Sequence, residues 1–132
     1  MWNNRSRHTS ELKPVVWIGS ALDDLRRLPV PVRQSLGFAL FQAQIGGKHV
    51  HAKPLRGFGG AGVLEVVEDC DGSTFRAMYT IRFPEAVYVL HAFQKRSTRG
   101  SRAPKREMDV VRTRLEIARR LHERAVDEGG TG

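Results

Sequence analysis

VLEVVEDCDGSTFRAMYTIRFPEAVYVLHAF, residues 63–93, is the stretch that decides the fold. Asp71-Gly72 near its middle is a tight-turn dipeptide, because the favoured two-residue hairpin turn needs positive φ at both central positions and Asp and Gly tolerate it. The flanking runs are rich in β-branched and aromatic residues. They predict strands over Val63–Asp69, Thr74–Phe83 and Ala86–Phe93, with a second turn at Pro84-Glu85. Turns this short join antiparallel neighbours. With Asp71-Gly72 as the turn residues, Val67 faces Arg76 and Glu65 faces Met78. Side chains alternate along a strand. Arg76, Met78, Thr80 and Arg82 therefore share one face with Val63, Glu65 and Val67. Phe75, Ala77, Tyr79 and Ile81 take the other, more apolar face, and Val87, Val89, His91 and Phe93 share a face of their own strand.

N-terminal to this meander, Lys13 to Ile18 (KPVVWI) reads as a short buried strand. Ser20, with Asp23 three residues on, resembles a capping box, and Leu22, Leu25 and Leu28 mark one helical face. Pro29 and Pro31 end that helix. A second helix follows from about Val32 to Ile45, its apolar stripe made of Leu36, Phe38, Ala39, Leu40, Phe41 and Ile45, and Gly46-Gly47 stops it. The two helices form an antiparallel hairpin. Lys48 to Gly60 reads as a loop, and its glycines (Gly57, Gly59, Gly60, with Gly62 beyond) as a flexible flap that lacks the P-loop ending. C-terminal to the meander, Gln94 to Ala103 is a second loop. Pro104 then opens a last helix to about Glu123, with Val110, Val111, Leu115, Ala118 and Leu121 inward. The expected fold is a small α/β (α+β) domain: a mostly antiparallel sheet with an N-terminal helical hairpin and a C-terminal helix. Residues 1–12 read as a disordered arm, 13–123 as the single domain and 124–132 as a frayed tail.

The 132 residues suit one domain that needs no disulfide or metal to fold. The single cysteine, Cys70, cannot pair within the chain and has no metal-ligand spacing around it, which fits a reducing compartment. No stretch reaches membrane-spanning length and no signal-peptide core precedes the domain, so the expectation is a cytoplasmic protein with no membrane partner. Twenty-two Lys and Arg against 14 Asp and Glu give a net charge of +8, which points to a polyanionic partner, nucleic acid before others and RNA before DNA.

The basic residues are concentrated at strand ends. The first loop holds Lys48, His49, His51, Lys53 and Arg56; the second region holds Lys95, Arg96, Arg99, Arg102 and Lys105. Taken alone, Arg76 beside Glu65 reads as a cross-strand ion pair worth about 0.2–1 kcal/mol. Flanked by two basic loops it also resembles a phosphate cradle, since arginine binds phosphate bidentately and neutralises charge building on it. His91 is either a general base or a satisfied strand histidine. His49-x-His51 lacks a carboxylate or cysteine nearby, so no metal or other cofactor is expected.

The runs KPLRGFGGAGVLEV, TFRAMYTIRF and AVYVLHAFQKRSTRGSRAPKREMDVV resemble RelE/HigB-type toxins, and more narrowly the phage-derived HigB-like subgroup, over about residues 13 to 122. VYVLHAFQKRS, followed by a proline and a basic helix, is the most specific piece. The resemblance implies a RelE-like fold and the toxin of a type II toxin–antitoxin pair. Such a toxin is a metal-independent endoribonuclease that cuts mRNA, often on the ribosome. Its partner would be an antitoxin of helix-turn-helix type. The family's strand arginine maps onto Arg76, its basic residues after the last strand onto Lys95 and Arg96, and its loop cations onto Lys53 and Arg56; Arg99 and Arg102 extend the RNA-binding set. Some relatives carry a tyrosine near the start of the final region. Here that region reads SRAPKREMDVV, leaving His91 and Glu65 as candidate bases. Three other readings stay open: a ParE-like gyrase inhibitor, a nucleic-acid-binding module without cleavage, and a catalytically degenerate toxin.

Overall fold

A computed structural model describes residues 12–47, 52–95 and 104–130. The elements are β1 (Val15–Trp17), α1 (Ala21–Arg26), α2 (Val30–Gln44), β2 (Ala52–Pro54), β3 (Val63–Cys70), β4 (Ser73–Thr80), β5 (Val87–Lys95) and α3 (Lys105–Gly130). They build a mixed α/β structure around one five-stranded sheet of order β1-β5-β4-β3-β2. β1 runs parallel to β5, and every other pairing is antiparallel.

The β3–β4 hairpin has the register that its turn dictates, with Val67 opposite Arg76 and Glu65 opposite Met78. Asp71 and Gly72 both take positive φ, 51° and 81°, as a two-residue turn matched to the strand twist requires. Gly62 also sits at positive φ, and a Cβ there would lie 3.0 Å from the Arg82 backbone nitrogen, so only glycine lets β3 begin so close to the end of β4.

Both sheet faces are covered. α1 and α2 lie on one face, where Leu25, Leu28, Val32, Leu36 and Leu40 pack against Val66, Phe75, Tyr79, Val87 and Val89. α3 covers the other, where Val111 and Ala118 meet Val63, Met78, Tyr88 and Leu90. The face carrying Arg76 is thus a second core and not the half-polar surface that alternation alone predicts. α3, packed across it, is the reason. A β-bulge changes β5 as well: Met78 pairs with His91 but Tyr79 pairs with Val89, so Leu90 has no opposite number. The extra residue resets the alternation of β5. Val87 and Val89 face the helical hairpin, while Leu90, His91 and Phe93 face α3; the expectation that Val87, Val89, His91 and Phe93 share a face is corrected. Arg114 of α3 donates from Nη1 to the Leu90 carbonyl at 3.0 Å and from Nη2 to Ser20 Oγ at 3.0 Å, tying the bulge to the start of α1.

Other boundaries also differ from the sequence expectation. Pro31 lies inside the first turn of α2, where a missing N–H leaves nothing unsatisfied, so α2 starts at Val30. Ser20 makes no side-chain cap; its hydroxyl donates to Asp24 at 2.8 Å. On α2, Leu36, Ala39, Leu40 and Ala43 are buried, whereas Phe38, Phe41 and Ile45 stand exposed on the outer side. The stretch after α2 contains β2, an edge strand that tolerates Pro54. The glycine-rich segment beyond it is docked, with Phe58 and Ala61 in the second core and the Arg112 guanidinium 5.4 Å from the Phe58 ring centre. α3 continues past Glu123 to Gly130. Its inward side takes Met108, Val111, Leu115, Ala118 and His122, and Leu121 points outward, because a 3.6-residue period carries the buried stripe to position 122. There His122 Nδ1 lies 3.1 Å from the Tyr88 hydroxyl and Nε2 lies 2.7 Å from Glu85. Burial, and then the Glu85 charge, push the Tyr88 phenol above its usual range.

Tyr79 is 2% exposed and its hydroxyl has no hydrogen-bond partner among the described residues. Burial pushes its phenol up to about 12. An unsatisfied buried hydroxyl is a net cost, so Tyr79→Phe is expected to leave stability unchanged or raise it by about 1 kcal/mol at pH 7 in urea denaturation. The unfolded phenol ionises near pH 10 and the folded one near 12. The wild type should therefore lose stability as pH rises through that interval, and Tyr79→Phe should lose less. A loss of more than about 1 kcal/mol in the variant at pH 7 would show that the hydroxyl has a partner after all.

Candidate nucleic-acid interface

Arg76 is the centre of the candidate site. It lies opposite Val67 on β3 and opposite Phe93 on β5. Residues two positions either side of a cross-strand partner are diagonal neighbours, about 7–8 Å away between Cα atoms. On β5 the diagonal neighbours of Arg76 are His91 and Lys95; on β3 they are Glu65 and Asp69. Lys53 of β2 lies opposite Glu65 and so shares its face. The sheet thus brings Arg76, Glu65, His91, Lys95 and Lys53 onto one face. Arg56 lies beyond the end of β2, exposed and outside the ladder. Arg96, Arg99 and Arg102, with Lys48, His49 and His51, lie outside the described residues.

Two buried contacts organise this face. The Arg76 guanidinium, with its side chain 6% exposed, forms a hydrogen-bonded ion pair with Glu65. His91 Nε2 lies 2.6 Å from Glu107 Oε1 in the first turn of α3. The His91 ring stacks on Phe93 with centroids 4.9 Å apart, and its Nδ1 is buried without a hydrogen-bond partner among the described residues. A hydrogen on Nδ1 would find no acceptor, so the neutral ring carries its hydrogen on Nε2 and donates it to Glu107. Lys53 is exposed and Lys95 half-buried, so the cations grade from a fixed interior arginine to solvent-facing lysines. At the end of the hairpin, burial and the neighbouring Asp71 carboxylate push the Cys70 thiol up, which disfavours a thiolate nucleophile.

Glu107 was not visible as a site residue in the sequence. It is 16 positions from His91, and only the packing of α3 across β5 brings them together. Its one local signal is its place three residues after Pro104, as the acidic residue of the helix's first turn, where the helix dipole favours negative charge.

Because Arg76 is buried beside Glu65, removing the acid strips an interior cation of its ion-pair partner. Glu65→Ala is expected to destabilise the fold by about 3–5 kcal/mol, and the double variant Glu65→Leu/Arg76→Met to recover most of that loss. Urea denaturation of the single and double variants measures both. Equal stability of Glu65→Ala and wild type would mean that the pair is not formed in solution.

A family model described as Phage derived protein Gp49-like (DUF891) matches residues 23–116, from within α1 to the middle of α3, and includes α2 and every strand except β1. No curated protein and no solved structure matches the chain. The matched span holds Lys53, Glu65, Arg76, His91, Lys95 and Glu107 together, and the chain belongs to the Gp49-like family of phage-derived proteins.

Proposed function

We propose that this chain is the toxin of a type II toxin–antitoxin pair, a RelE-like endoribonuclease of the HigB-like kind that cuts mRNA on the ribosome without a metal ion. Its family is associated with RelE/HigB-like toxins. The observation that carries the reading is the placing of Arg76 diagonal to both His91 and Lys95, on a face whose open side bears Lys53. RNA supplies its own nucleophile, the ribose 2′-hydroxyl. The protein has to hold the neighbouring phosphate in line, take a proton and stabilise charge on the phosphoryl oxygens. Arg76 and Arg96 take the phosphoryl charge, Lys95 attends the leaving oxygen, and Lys53, Arg56, Arg99 and Arg102 hold the RNA backbone. The natural partners are a cognate antitoxin, of helix-turn-helix type, and ribosome-bound mRNA in the cytoplasm. Among the described residues no helix is long and apolar enough to cross a membrane.

The engagement of Arg76 by Glu65 favours one rival, a degenerate toxin or binding module whose arginine serves the fold. Induced expression in a bacterium, with transcript ends mapped during growth arrest, separates the two. The wild type is expected to create new 5′ ends inside reading frames. Arg76→Lys keeps a cation beside Glu65 but loses the planar fork, and should reduce single-turnover cleavage by on the order of 10²–10³. Arrest without new ends would point to a non-nuclease target such as gyrase. No arrest, or cleavage within threefold of wild type in Arg76→Lys, would remove Arg76 from the chemistry.

A further inference from the structure

We infer that Glu107 is the general base, the group that takes the 2′-hydroxyl proton, and that His91 is the residue that positions it. This rests on the endoribonuclease reading above. Two other carboxylates lie diagonal to Arg76: Glu65 is committed to it, with its side chain 14% exposed, and Asp69, at the hairpin end, accepts from Thr74 Oγ1 at 2.8 Å and has no buried donor orienting it. His91 cannot itself accept the proton, since Nε2 is occupied by Glu107 and Nδ1 is sealed from solvent. Glu107 differs from all three. Its side chain is 22% exposed against 9% for His91, one oxygen is held by His91, and Oε2 has no hydrogen bond among the described residues. A part-exposed carboxylate with one oxygen oriented by a buried donor and the other without a hydrogen bond among the described residues has the form of a positioned general base. It also supplies a proton acceptor in a chain whose final region has no tyrosine.

In the step that follows, Glu107 Oε2 takes the 2′-hydroxyl proton as the 2′-oxygen bonds to phosphorus. The bond from phosphorus to the 5′-oxygen breaks, and that oxygen leaves with the electron pair and receives a proton from Lys95. The products are a 2′,3′-cyclic phosphate and a 5′-hydroxyl end, and solvent restores both side chains.

The test uses the full chain, purified, with ribosomes programmed with a defined mRNA, and reads single-turnover cleavage and ribosome binding separately. Glu107→Gln keeps an acceptor for His91 but cannot take the proton, and is expected to cleave 10²–10⁴-fold more slowly while binding unchanged. Glu107→Ala with added formate should regain part of the lost rate. His91→Gln, which keeps a donor near the Nε2 position, should retain more activity than His91→Leu. Thermal melts confirm that each variant is folded. Cleavage by Glu107→Gln within threefold of wild type, with Arg76→Lys still impaired, would overturn the assignment of Glu107 and leave the endoribonuclease reading standing. Absence of cleavage by the wild type itself would overturn both.

Discussion

β5 has to serve two hydrophobic cores with one strand, and an ideal strand gives each core only alternate residues. The unpaired Leu90 resolves this by resetting the alternation in mid-strand. Before it, Val87 and Val89 point to the helical hairpin; after it, His91 and Phe93 point to α3. The rest of the arrangement hangs on that change. Without it His91 would face the α1–α2 core, far from Glu107, and Phe93 would not stand opposite Arg76. The bulge leaves a carbonyl that needs a donor, and Arg114 provides it from a helix that the bulge itself has turned the strand to meet.

The same geometry explains why charge can be buried here. Arg76 lies inside a two-sided sheet, where an isolated guanidinium would be strongly disfavoured. Glu65 neutralises it from the diagonal position, and the β3–β4 register that creates the diagonal is fixed by two turn residues. An error of one residue in register would put the acid on the opposite face, since such a slip exchanges the faces of a strand.

What was legible in the sequence was local. Asp71-Gly72 announces both the hairpin and its register because turn chemistry acts over neighbouring residues. Four of the five strands and the three helices follow the hydrophobic pattern, and Arg76 shares a face with Glu65 as strand alternation requires. What was hidden depends on long-range packing. A bulge has no signature in VYVLHAF, because an apolar run reads alike on either face. β2 is three residues long and contains Pro54, so it looks like loop until β3 pairs with it. Glu107 carries no mark that separates it from the other acids of a charged helix until α3 is laid across β5.

α3 is joined to the sheet and its β4–β5 turn by two histidine–glutamate contacts. His91 on the sheet reaches Glu107 near the start, and His122 on the helix reaches Glu85 near the finish. The two helical anchor positions are 15 residues apart, about 22 Å along the axis. A rod fixed at two points can neither slide by one turn nor roll without releasing both. The orientation of the Glu107 carboxylate is therefore set partly by a side chain about four turns away along the helix, and wear at that distal fastening would be felt as play in the site.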